Sequence, residues 1–159
     1  MSMSNMFSTR PSTSSAASEL ASWLQGHMSE MVKTSDPEEF KRLFNDIFAD
    51  NAKFHINGED MKREDLLNRM MERKKNQQSA NMEVRGMVAV PRDENRPEMG
   101  GYAGSFVITT IQRKDSNKIY RAIVCANLDI ENSNSSRGAR DGRKITRVHE
   151  VAIETEEEK

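Results

Sequence analysis

Phe40, Leu43, Phe44, Ile47 and Phe48 recur at the spacing that gathers large apolar side chains on one face of an α-helix. Asp36 stands in front of them as an N-cap, Pro37 takes the first helical position, and Glu38 and Glu39 place negative charge in the first turn. Glu39 follows Asp36 by three residues, which predicts a capping box. After Ala49-Asp50-Asn51 the period changes. Lys53, Phe54, His55 and Ile56 alternate polar with apolar, as a half-buried strand does, and Asn57-Gly58 ends it because both residues tolerate positive φ. Upstream, Leu20, Trp23, Leu24, His27, Met28 and Met31 form the stripe of a helix from about Ser18 to Lys33. Downstream, Leu66, Leu67, Met70 and Met71 mark a third helix from about Lys62 to Lys75.

The remainder is β-patterned. Strands are predicted over Met82–Val90, Tyr102–Arg113, Lys118–Ile130 and Ile145–Ile153, with polar loops at 91–101 and 131–142 and a tight turn at Asp115-Ser116-Asn117. Helix, helix, strand, helix and then four strands is an α+β order with an antiparallel sheet. The long strands are apolar on both faces. Tyr120, Ala122, Val124, Ala126, Leu128 and Ile130 share one side, while Ile123, Cys125 and Asn127 share the other. A sheet with one solvated face alternates more cleanly, so part of the second face is expected to meet another subunit or to line a cavity.

Composition narrows the classes. A chain of 159 residues fits one domain and can bury a core without staples. Its 24 Lys and Arg nearly balance 25 Asp and Glu, so no global charge points to nucleic acid or to an anionic membrane. The single cysteine, Cys125, rules out an intrachain disulfide and suits a reducing compartment. Apolar runs are too short for a bilayer. Residues 1–18 are rich in Ser and Thr, with one base and no acid, and read as a disordered tail rather than a mitochondrial presequence. A cytoplasmic or nuclear location follows. Glu154 to Lys159 reads as a solvated acidic tail.

F-x-x-L-F-x-x-I-F-A-D-N-A-K-F at 40–54, the helix after it, and D-G-R-K-I-T-R-V-H-E at 141–150 resemble the nuclear transport factor 2-like superfamily. That superfamily includes SnoaL-like polyketide cyclases, ketosteroid isomerase and scytalone dehydratase. The resemblance spans residues 19–153. It implies a cone-shaped curved antiparallel sheet wrapped around three N-terminal helices, an open-ended pocket inside, and a homodimer through the outer sheet face. In isomerase-type members a catalytic aspartate ends the strand after F-A-D-x-A; the matching position here is Ile56. Their first helix supplies a pocket tyrosine, where this chain has His27 and Met28. The acid that donates to an oxyanion corresponds to Asn127.

These departures favour a binding or interaction module for a small apolar ligand, without turnover. The alternative is an isomerase, cyclase or dehydratase working by proton transfer. In that reading Glu150 is the base, since a carboxylate inside an apolar cone has a raised pKa, and Asn127 is the oxyanion donor. Trp23, His27, Phe54, Ile56, Cys125, Asn127 and Val148 are the expected ligand wall. His149 points away from Glu150, as strand neighbours do. The three histidines lie on separate elements without ligand-type spacing, so neither a metal nor another cofactor is expected. Met28, Met31, Met70, Met71, Met82 and Met87 fill the core or adapt to a ligand. The basic segment 137–147 reads as a solvated loop, with Arg137, Arg140 and Arg143 available to the acidic tail.

Overall fold

The computed structural model describes residues 15–132 and 141–158. Helix α1 (Ser15–Lys33) and helix α2 (Pro37–Ile47) lead into strand β1 (Phe48–Ile56), short strand β2 (Glu59–Met61) and helix α3 (Arg63–Lys75). Strands β3 (Gln77–Pro91), β4 (Gly100–Arg113), β5 (Lys118–Asn132) and β6 (Arg143–Glu158) complete the chain. They form one curved six-stranded sheet in the order β2-β1-β6-β5-β4-β3. The sheet is mixed, not wholly antiparallel as the pattern suggested, because β1 runs parallel to β6.

The three helices cover one face of this sheet. Leu20 and Leu24 of α1, Phe40, Phe44 and Ile47 of α2, and Leu67 of α3 meet Phe54, Ala103, Leu128, Ile130, Ile145 and Val148 in a single core. As predicted, Asp36 caps α2, its carboxylate accepting from the Glu38 amide at 3.0 Å. Glu39 does not reach back to close a capping box. Its carboxylate takes two hydrogen bonds from Arg42 at 2.6 and 3.0 Å instead, because a charged partner one turn away binds more strongly than a lone amide.

Two charged side chains are buried at opposite ends of α1. Lys74 donates from Nζ to the carbonyls of Met31 and Val32 at 2.7 and 2.9 Å and to Gln77 Oε1 at 3.2 Å, and lies over the Phe40 ring. It thereby satisfies the free carbonyls of the last α1 turn. Burial pushes its pKa down to about 8, so at neutral pH it is still an ammonium. At the other end Arg143 is buried between Glu19 of α1 and Asp141.

Three expectations are corrected here. Helix α1 begins at Ser15, so Ser15–Ser18 belong to the domain, with Ala16 and Ala17 buried; only residues 1–14 of the expected tail lie outside the described residues. The expected acidic tail is strand through Glu158, paired with Lys118 to Ala122. Its acids meet bases from across the sheet, Glu156 with Lys118 and Glu154 with Arg73 of α3, which removes the repulsion that would keep the run solvated. Arg143 is no loop residue awaiting that tail, since its partners are Glu19 and Asp141; Arg137 and Arg140 lie outside the described residues.

Candidate functional site

Pairing decides which predicted residues share a face. Ala126 is opposite Glu150, and Leu128 opposite Val148. The β5 residues that face the helices are therefore Ala126, Leu128 and Ile130, all buried, together with Val148 and Glu150 of β6. Ile56 pairs with Glu150 and Phe54 with Val148 across the parallel junction. One cross-strand row on the concave face thus reads Ile56, Glu150, Ala126, Ser105 and Met87.

Glu150 sits at the edge of the packed core. Burial falls along β6 from Val148, 5% exposed, through the half-buried Glu150 and Ala152 to the exposed Glu154. Beside it, Val124 and Ala122 of β5 are also half-buried. The Glu150 carboxyl makes no hydrogen bond or ion pair among the described residues, and burial raises its pKa. Its backbone is firmly placed. The Asn57 amide N–H donates to the Glu150 carbonyl at 2.9 Å. The Asn57 side chain grips Ala152 twice, accepting from its N–H at 2.8 Å and donating to its carbonyl at 3.1 Å. Asn57, at φ 51°, so extends the β1–β6 ladder past the end of β1. Sequence reasoning took Asn57 only as a turn residue and missed this bracket around Glu150. Two strands away Ser105 Oγ is enclosed with no hydrogen-bond partner among the described residues. Beyond this row the concave face leads to a cleft between Arg73, Glu154 and Tyr120, with Arg113 over the Tyr120 ring at 3.7 Å. Its cavity volume is about 20 Å³, room for one water.

The other predicted residues divide. Phe54, Ile56 and Val148 stand on the concave face near Glu150, the first and last deep in the core. Asn127 and Cys125 do not join them. Asn127 pairs with His149 and Cys125 with Val151, so both point outward and are exposed. Asn127 lies over Gly104, where an added Cβ would come to 3.3 Å from its Oδ1. Asn127 therefore cannot share a ligand atom with Glu150, because strand neighbours project to opposite faces. Trp23 and His27 stack edge to face at 5.0 Å, and Arg143 lies over Trp23 at 4.8 Å. They belong to the ion network at the start of β6, about 20 Å along the strand from Glu150.

No protein-family model matches the sequence, and no curated protein matches it. Solved structures do match. A conserved protein from Planctomyces limnophilus aligns over 87% of this chain and 98% of its own, with TM-score 0.62 and 13% identity. A putative scytalone dehydratase from Novosphingobium aromaticivorans aligns over 83% of each chain, with TM-score 0.59 and 10% identity. A nuclear transport factor 2-like protein of unknown function from Exiguobacterium aligns over 81% of this chain and 97% of its own, with TM-score 0.51 and 17% identity.

The chain has the nuclear transport factor 2-like fold. At these identities the likeness concerns architecture alone. In this nuclear transport factor 2-like cone the concave face with Glu150 is the inside and the face with Asn127 and Cys125 the outside. Among the described residues no helix is long and apolar enough to cross a membrane, and no group of three or more His, Cys, Asp or Glu is arranged to hold a metal ion.

Proposed function

We propose that the concave face beside Glu150 binds a small, largely apolar molecule carrying one polar group, without turning it over. The observation that carries this reading is the unpartnered Glu150 carboxyl at the border of the packed core. A half-buried acid without a hydrogen bond weakens the fold and is retained where it serves a ligand. Its row supplies apolar contact from Ile56, Ala126 and Met87. Half-buried methionines on α1 and α3 (Met28, Met31, Met70 and Met71) repack readily around apolar bodies of different shape. The absence of turnover is favoured because the row holds no second titratable group to exchange protons with Glu150.

The second reading is proton transfer with Glu150 as base. It is favoured by the raised pKa and by neighbours in fold that include a hexachlorocyclohexane dehydrochlorinase and a putative scytalone dehydratase. Native mass spectrometry of freshly purified protein separates the two. Binding alone gives a co-purified mass that is absent from Glu150→Gln and stable in D₂O. Proton transfer at carbon gives stepwise deuterium uptake into that mass. No co-purified mass, together with no effect of Glu150→Gln on binding of apolar acids and alcohols, sinks both.

Glu150 also has a pH signature. Its folded pKa is raised above the unfolded value, so the folded state binds the proton more tightly and loses stability as pH rises through that interval. Glu150→Gln is therefore expected to raise the melting temperature at pH 8 relative to wild type and to lose that advantage at pH 4. Equal effects at both pH values would mean that the carboxyl is not shielded from water.

We also propose that two copies pair through the outer sheet face. Val88, Val90, Tyr102, Phe106, Val151 and Ile153 are all exposed there, with Val88 67% and Ile153 61% accessible. An apolar patch of that extent, drawn from β3, β4 and β6, favours a partner of the same kind. Light scattering is expected to give twice the chain mass of 18.1 kDa, and the double variant Val151→Lys, Ile153→Lys to give one chain mass. A wild-type monomer at micromolar concentration would refute the pairing.

A further inference from the structure

Sequence spacing kept the histidines apart, but the parallel β1–β6 junction sets His55 directly beside His149 on the outer face. Their ring centres are 4.7 Å apart at an interplanar angle of 61°. On the other side of His55, Asp60 of β2 lies opposite in the antiparallel register. Its Oδ1 is 2.8 Å from His55 Nδ1.

We propose that His55 and His149 together bind one transition-metal ion of the class that prefers imidazole, zinc, copper(II) or nickel(II). Three observations lead there. The first is separation. With a metal–nitrogen bond of about 2.0–2.1 Å and roughly another 1.1 Å to the ring centre, two imidazoles at a tetrahedral angle have centres about 5 Å apart. The observed 4.7 Å between ring centres is close to that. The second is tautomer. A proton on Nδ1 donated to Asp60 leaves the lone pair on Nε2, and a carboxylate behind a ligating histidine both orients the ring and strengthens it as a ligand. The third is access. In the single chain His149 is exposed and the His55 side chain 37% so. Because His149 shares the outer face with Val151 and Ile153, the metal is titrated into the Val151→Lys, Ile153→Lys variant as well as wild type, so that pairing of copies is not what blocks the ion. Two nitrogens leave the remaining coordination positions to water or to an added ligand, which makes this an exchangeable site rather than a structural one. It stands on the opposite side of the sheet from Glu150 and does not depend on the function proposed for that residue.

The test uses full-length, tag-free protein and the metal alone. Copper(II) is titrated and followed by electron paramagnetic resonance, and zinc is titrated calorimetrically. The expected result is one ion per chain with a copper spectrum showing two imidazole nitrogens. His55→Ala and His149→Ala each lose one nitrogen from the spectrum and at least about tenfold in affinity. Asp60→Asn keeps both nitrogens and loses affinity by about tenfold, because only the orienting group has gone. All three positions are on the surface of the sheet, and circular dichroism verifies that each variant is folded. Wild-type binding that survives His149→Ala undiminished overturns the proposal. So does the lack of saturable binding at millimolar zinc, which would leave the two rings as a stacked pair and nothing more.

Discussion

Arg143→Ala is expected to remove about 2–4 kcal/mol of folding stability, below the cost of stranding a fully buried charge because Glu19 and Asp141 stay partly solvated. The side chain is 5% exposed and serves two carboxylates at once. Nη1 and Nη2 reach Glu19 at 2.6 and 2.8 Å, and Nε reaches Asp141 at 3.0 Å. Nη1 also donates to the Pro97 carbonyl at 3.3 Å, and the guanidinium covers the Trp23 ring. Truncation leaves two acids facing each other across a partly buried gap, with a carbonyl whose donor has gone. A loss of that size is a large fraction of the roughly 5–15 kcal/mol that holds a domain together. For a chain of this length it lowers the melting temperature by on the order of 10 °C. Arg143→Lys is expected to recover little, since one ammonium cannot replace a planar fork held between two carboxylates and an aromatic face. The pH dependence follows from Asp141. Burial alone would raise its carboxyl, but the hydrogen bonds from Arg143 outweigh that and leave it lowered. A lowered acid contributes stability above its unfolded pKa of about 3.9 and loses it as pH falls through the folded value. The gap between wild type and Arg143→Ala should therefore narrow below about pH 4. Thermal unfolding followed by circular dichroism at pH 7 and pH 3.5 measures both effects. A difference under about 1 kcal/mol at pH 7 would place the network among ordinary surface pairs.

Phe44→Ala should cost at least as much, about 3–5 kcal/mol, for a different reason. Phe44 is fully buried, and its ring centre lies 4.5 Å from Phe48, 6.0 Å from Phe40 and 6.1 Å from Phe54. The Arg63 guanidinium stands over the same ring at 5.0 Å and donates to the carbonyls of Phe48 and Ala49 at 3.0 and 2.9 Å. Removing the ring opens a cavity where α2, β1 and α3 meet and leaves that guanidinium without its platform. Phe44→Leu keeps most of the volume and should cost under about 1.5 kcal/mol. Urea unfolding tests this, with an unchanged slope expected for both variants. Equal losses in Phe44→Ala and Phe44→Leu would mean that ring contacts, not volume, carry the effect.

Local patterns were enough for α2, because its cap, its proline and its apolar stripe are all within one stretch from Asp36 to Phe48. They were also enough to divide β5 into two faces. They could not tell which face Glu150 joins, since that depends on the pairing of Ala126 with Glu150 and on the irregularity near Asp129 and Ile130. The resemblance places Asn127 inside the cone with Glu150, whereas its pairing with His149 turns it to the outer face. The same limit applies to charge. Glu154 to Glu158 looks solvated in isolation, and its backbone pairing with Lys118 to Ala122, distant in sequence, makes it a strand. Arg143 looked like one base among several in a loop, yet its burial is decided by Glu19 at the far end of the chain. Likewise nothing near His55 announces His149.

Strand β6 lies between β1 and β5, and the Asn57–Ala152 contact that locks it to β1 joins residues 95 apart. Before β6 arrives, β1 has only the three-residue β2 to pair with. A nascent chain on the ribosome therefore carries Phe54 on an open strand edge through the synthesis of β3, β4 and β5. Closing so long a loop is entropically slow, and unpaired edges invite wrong partners in the meantime. Assembly of this cone is thus a late, all-at-once event, and chains that stop short of Arg143 are candidates for chaperone capture rather than for partial folding.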